Sequence, residues 1–212
     1  MNPATLRELG RADPVMARLI RAAGPCTIKP KRGQAPYQAL MSSVAYQQLN
    51  GKAAETILGR FFALYPGVRF PTPEELLATP DETLRGVGFS RSKALALRDI
   101  ATKALDGTIP ERRVIARLAD EAIIERLIVV RGVGRWTIEM LLMFTLARPD
   151  VLPVDDFGVR AGFKLAYGKR QMPTPKALRT FGERWAPHRT TAAWYLWRAL
   201  DLHRAGKLPE LS

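Results

Sequence analysis

The residues of this chain whose types and spacing suit chemistry are Arg131-Gly132-Val133-Gly134-Arg135-Trp136-Thr137 and, beyond an apolar stretch, Val154-Asp155-Asp156-Phe157. Two glycines let the backbone turn sharply between helices where side chains would clash, while Val133 plugs the space between them. Amides at the start of the following helix then lack intrahelical partners and point outward, where they can hold a phosphate oxygen without reading a base. Arg131 and Arg135 add charge to that contact, and Thr137 lies in the same first turn. Alone, a Gly-x-Gly turn is equally a plain connector, so its surroundings have to decide. Either Asp155 or Asp156 can face a helix N-terminus, whose partial positive charge favours a carboxylate.

Helices have to position these groups, because nearly every segment between turn signals has helical periodicity. From Pro36, the residues Tyr37, Leu40, Met41, Val44 and Leu49 recur at helical spacing, and after Asn50-Gly51 a second stripe runs from Ala53 to Tyr65. Thr72-Pro73-Glu74-Glu75 has the cap, proline and returning glutamate of a capping box, and Thr79-Pro80-Asp81-Glu82 repeats it. Ser90 is placed to cap Arg91 to about Leu105, closed by Gly107, and Asp120 to cap Glu121 to about Val130. Leu6 to Ala22 reads as one helix, residues 24–33 as a connector, Pro173-Thr174-Pro175 as a helix start, and Pro187 as the break before an amphipathic run to Leu200. Arg85-Gly86-Val87-Gly88 echoes Arg131-Gly132-Val133-Gly134, which we read as shared turn physics.

Thirty-three Lys and Arg against 20 Asp and Glu give a net charge of +13 over 212 residues, which favours a polyanionic partner over a small neutral ligand. The basic residues recur along the chain instead of forming one short membrane-binding patch. Cys26 is the single cysteine, so neither an internal disulfide nor a cysteine-held iron-sulfur cluster is available. No apolar run reaches the roughly 20 residues of a membrane span, and the N-terminus does not read as a secretory signal. A cytoplasmic, nucleoid-associated monomer is expected. His188 and His203 lack a third ligand at metal-site spacing, so no metal and no cofactor are expected.

The ordered set resembles the helix-hairpin-helix DNA glycosylase superfamily, and within it the 3-methyladenine DNA glycosylase II group, from about Pro36 to Leu200. It comprises Tyr46-Gln47-Gln48-Leu49, Phe70-Pro71-Thr72-Pro73, Gly88-Phe89-Ser90 with Lys93, the hairpin with Trp136-Thr137, and Met143-Phe144. Arg148-Pro149-Asp150-Val151, Pro153 with Asp155-Asp156, Gly158-Val159-Arg160, Trp185-Ala186-Pro187, Arg189 and Trp197 complete it. The resemblance implies an all-α, two-lobed glycosylase core without an N-terminal β domain. Its central lobe would span 41–150, and its second lobe would combine 1–40 with 151–212.

By that resemblance Asp156 is the catalytic aspartate, and Asp155 the neighbour that caps the helix or shapes the loop. Trp136 stands where the glycosylase-lyase branch carries a nucleophilic lysine; an indole forms no Schiff base, which implies monofunctional base removal. The expected partner is double-stranded DNA containing damaged bases. The damaged nucleotide would turn outward into a pocket between the lobes, and Asp156 would stabilise positive charge on the deoxyribose and activate water. Alkylated purines such as 3-methyladenine and 7-methylguanine carry a weakened, cationic base that stacks well on aromatic rings.

Tyr46, Trp136, Phe157 and Trp185 are candidates for lining or supporting that pocket, whereas Trp194 and Trp197, three apart on one helix, read as packing. Tyr195 reads as either pocket-facing or solvent-exposed. Gln47 and Gln48 are amides in an apolar run, suited to bracing backbone or to meeting DNA. Arg160 and Arg189 are auxiliary cations that fit either a carboxylate or a phosphate. A non-catalytic duplex-binding protein and a glycosylase for another base lesion are the alternatives.

Overall fold

A computed structural model describes residues 3–31, 33–47 and 51–209, with Gly51, Ala53 and Ala54 described by their backbone alone. Among these residues the regular structure is entirely helical: α1 (Pro3–Ala12), α2 (Pro14–Ala23), α3 (Pro36–Tyr46), α4 (Gly51–Ala63), α5 (Pro73–Ala78), α6 (Asp81–Gly86) and α7 (Arg91–Leu105) come first. Then follow α8 (Arg112–Ile115), α9 (Asp120–Leu127), α10 (Arg135–Phe144), α11 (Phe157–Ala166), α12 (Pro175–Gly182), a 3-10 turn at Glu183–Trp185, and α13 (Arg189–Arg204). Gln48, Leu49, Asn50 and Arg32 lie outside the described residues.

The local rules hold where a side chain is free to cap. Thr72 accepts from Glu75 N while Glu75 returns to Thr72 N; Ser90 and Thr174 cap α7 and α12 with their hydroxyls alone, accepting from Lys93 N and Ala177 N. Three expectations are corrected. The stretch from Leu6 to Ala22 is two helices, because Pro14 forces Asp13 into an extended conformation (φ −151°, ψ 107°) that ends α1 and caps α2. Thr79 forms no second capping box: its hydroxyl donates to Glu75 O and bonds Tyr65 Oη, and Pro80 precedes α6 without a side-chain cap. Asp120 is the first residue of α9, not its cap.

The chain divides into two compact units, Met1–Pro30 with Leu142–Ser212, and Lys31–Leu141. These divisions fall earlier than the 40/41 and 150/151 read from sequence: α3 belongs wholly to the central unit, and the chain leaves that unit within α10. In the central unit α7 packs on α3 and α5. In the terminal unit α11 packs along α13, and α2 packs on both α1 and α13. A Cβ at Gly162 would lie 1.8 Å from Leu196 O, so only glycine admits this approach of α11 to α13.

The two Arg-Gly-Val-Gly segments differ in backbone. In the first the positive φ falls on the last glycine, Gly88 (114°), and in the second on the first glycine, Gly132 (76°).

Candidate active site

In the central unit, α9 and α10 are joined through Ile128 to Gly134. Gly132 needs its positive φ for the turn and its missing side chain for fit, because a Cβ there would come within 2.9 Å of Ala96 Cβ. Val133 is buried, and its amide donates to Val130 O, closing the turn beneath the exposed Gly132 and Gly134. Ile138 N donates to Gly134 O, so α10 begins at Arg135, and the Arg135 and Thr137 amides have no carbonyl four residues back within the helix. This is the geometry of an anion cradle at a helix N-terminus.

The side chains around the cradle divide. Arg131 is exposed, with its amide fixed by Asp99 Oδ2 at 2.7 Å. Arg135 bonds both carboxylate oxygens of Glu121 and also Glu139, so its guanidinium is committed within the protein. Thr137 is buried, and its hydroxyl accepts from Gln47 Nε2, which also donates to Gly132 O. Trp136 and Tyr46 are both exposed, at 40% and 42%.

In the terminal unit, Asp156 N donates to Pro153 O, closing the loop that ends the approach to α11. Asp156, not Asp155, is the N-cap: its Oδ1 accepts from Val159 N at 2.8 Å, while Asp155 faces solvent. The same Oδ1 accepts Trp197 Nε1–H at 2.8 Å. That bond needs α11 close to α13: a Cβ at Gly158 would lie 2.8 Å from Trp197 Cδ1 and 3.1 Å from Asp156 Oδ1. Trp197 also stacks on Phe144, with ring centroids 6.0 Å apart. Asp156 is half-buried and Phe157, at the first helical position, is 62% exposed, so carboxylate and ring are presented together at the mouth of α11.

The remaining candidates make contacts within the protein. Trp185 is fully buried among Phe163, Tyr167 and Phe181, and its indole donates to Asp13. Tyr195 is fully buried and donates to Gly24 O, so neither the pocket nor solvent claims it. Arg160 Nε donates to Pro173 O. Arg189 grips Asp150 through both carboxylate oxygens, and Thr190 ties the same loop to α13 by bonding Arg148 O and Val151 N. Burial pushes the Asp150 carboxyl up, but the Arg189 bonds outweigh it and hold the group below its ordinary 3.8.

Sequence reasoning assigned Trp197 to packing and gave Lys93 no role. Gly158 and Gly162, one helical turn apart, marked a face of α11 that another helix touches closely and were the signal for Trp197. Among the described residues, no group of three His, Cys, Asp or Glu is arranged for a metal, and no helix is long and apolar enough to cross a membrane.

An all-helical chain with a glycine hairpin of this shape and a carboxylate at a later helix start has the parts of the helix-hairpin-helix repair proteins. The chain belongs to the HhH-GPD superfamily of base excision DNA repair proteins, whose model matches residues 41–188. It is similar to DNA-3-methyladenine glycosylase 1 of Schizosaccharomyces pombe, at 40% identity over 92% of this chain and 86% of that one. It is also similar to two solved structures. One is the S. pombe 3-methyladenine DNA glycosylase in complex with abasic DNA (TM-score 0.83, 39% identity, 92% and 95% of the two chains). The other is a DNA-3-methyladenine glycosidase from Bacillus halodurans (TM-score 0.87, 34% identity, 99% and 95%).

Proposed function

We propose that this protein is a monofunctional DNA glycosylase that hydrolyses the N-glycosidic bond of alkylated purines such as 3-methyladenine and 7-methylguanine, with Asp156 as the catalytic carboxylate. The observation that carries the proposal is the half-buried Asp156 at the N-terminus of α11, oriented through Oδ1 by Val159 N–H and Trp197 Nε1–H. The names of its relatives support the substrate class.

The C1′–N bond breaks with its electron pair leaving on the base, which N3 or N7 alkylation has already made a good leaving group. Positive charge develops on the deoxyribose, and Asp156 stabilises it electrostatically. Water attacks C1′, and its proton passes to the carboxylate or to solvent. An abasic site in an intact strand results. The α9–α10 hairpin anchors duplex DNA by a backbone phosphate, with Arg131 beside it; the net charge of +13 favours the encounter. Trp136, at the start of α10, cannot form the imine that a strand-cleaving mechanism requires.

The test is base release from methylated duplex DNA in the presence of chelator, followed separately by alkali. Free 3-methyladenine with an intact strand before alkali is expected, and Asp156→Asn should lower release by about a thousandfold while DNA binding persists. Strand cleavage during the enzyme step, trapped by borohydride, overturns the monofunctional reading; undiminished release by Asp156→Asn overturns the catalytic assignment. Gly134→Asp tests the hairpin, since a Cβ there meets nothing within 4 Å and the new carboxylate would repel a phosphate. It should abolish duplex binding without unfolding the protein.

A further inference from the structure

We infer that Lys93 and Gln47 form a two-link strut that sets the shape of the 132–137 hairpin, and that both are positioning residues for the phosphate contact; this rests on the hairpin being the DNA anchor. The first link is at the end of α3. There the last carbonyls of a helix lack intrahelical partners and carry partial negative charge. Lys93 Nζ donates to two of them, Ala45 O at 2.8 Å and Gln47 O at 2.7 Å. Lys93 itself stands in the first turn of α7, with its amide capped by Ser90 Oγ at 3.3 Å.

The second link is the Gln47 side chain. Its Nε2 carries two protons and both are engaged, one by Gly132 O at 3.0 Å and one by Thr137 Oγ1 at 3.2 Å. One amide therefore spans the hairpin from its left-handed glycine to the first turn of α10, bracketing the amides assigned to the phosphate. With both donors directed inward, Gln47 braces the protein instead of reading DNA. Lys93 likewise does not serve as a surface cation: it is half-buried, and burial lowers its pKa from the ordinary 10.5. Pinned through its carbonyl by Lys93, Gln47 presents its side chain in one direction, and the hairpin is held ready before DNA arrives.

The experiment measures duplex affinity over a salt series for Gln47→Met, Lys93→Met and the double variant, with thermal melting as a control. Each single variant is expected to weaken binding on the order of tenfold, as loss of preorganisation does. The double variant should bind within about twofold of Gln47→Met, because Lys93 acts through Gln47. The slope of log affinity against log salt should stay at the parent value in Lys93→Met, whereas a lysine on a phosphate would reduce it by about 0.9. Parent-like binding by either single variant, a reduced slope in Lys93→Met, or additive losses in the double variant would each overturn the strut.

Should Lys93→Met fail to fold, hydrogen exchange in Gln47→Met decides: faster exchange confined to residues 132–137 supports the strut, and unchanged exchange there overturns it. Gly134→Asp separates the two levels. If it abolishes binding while the Lys93 and Gln47 variants bind normally, the strut alone fails; if it binds normally, the anchor reading fails with it.

Discussion

Asp13 and Asp156 both stand at the N-cap of a helix in the terminal unit, and both accept an indole N–H. Asp13 is 2% exposed and divides four bonds between its oxygens: Oδ1 takes the Val15 and Met16 amides, and Oδ2 takes Tyr167 Oη and Trp185 Nε1. At Asp156 the helix amide and the indole converge on Oδ1, and the residue is half-buried beside an exposed Phe157. The same local chemistry is used to lock a core in one place and to aim an accessible carboxylate in the other. Burial, not residue type or helix position, separates the two carboxylates.

That contrast breaks if the two aspartates respond alike to substitution. Asp156→Asn should lower base release by about a thousandfold, yet leave unfolding free energy within about 1 kcal/mol of the parent, because asparagine caps helices equally well. A denaturant titration alongside a release assay reads both. Asp13→Ala should do the reverse, costing on the order of 3 kcal/mol of stability by stranding a buried hydroxyl, an indole and two helix amides. Release per folded molecule should be unchanged.

The indole arm sharpens the contrast. Trp197→Phe keeps an aromatic ring but removes the donor to Asp156 Oδ1. We expect a loss of about tenfold in the rate of base release, with duplex affinity unchanged; an equal fall in affinity would show that Trp197 acts on DNA instead. The smallest effect belongs to Asp150, whose depressed pKa contributes stability that is present above 3.8 and lost as pH falls through the lower folded value. Arg189→Gln should flatten that acid limb by less than about 1 kcal/mol, since the pair is partly exposed, and should leave the rate of release at neutral pH unchanged.

Much of the scaffold was legible because its rules are local. Thr72, Ser90 and Thr174 each cap the helix that their spacing marks, and Gly132 and Val133 take the turn and plug positions that their types require. Errors arose where a neighbour competed. Pro14 splits a periodic apolar run, and Thr79 turns its hydroxyl to the helix before it instead of the helix after it. The site was half legible. Asp156 is placed by family resemblance, but Trp197 joins it across 41 residues of chain. Lys93 meets Gln47 across 46, and no periodicity encodes such pairings. The charge of Arg135 and Arg189 is visible in sequence, with Arg189 open to a carboxylate or a phosphate, whereas Glu121 and Asp150, which engage them, become partners only in the fold.

Arg-Gly-Val-Gly occurs twice, yet the positive φ falls on the last glycine of one copy and the first glycine of the other. Gly88 would meet Ile57 with a Cβ, and Gly132 would meet Ala96, so each copy takes its form from what lies opposite. Transplanting those four letters into a new scaffold would therefore import an ambiguous turn. A usable graft has to carry the opposing wall as well.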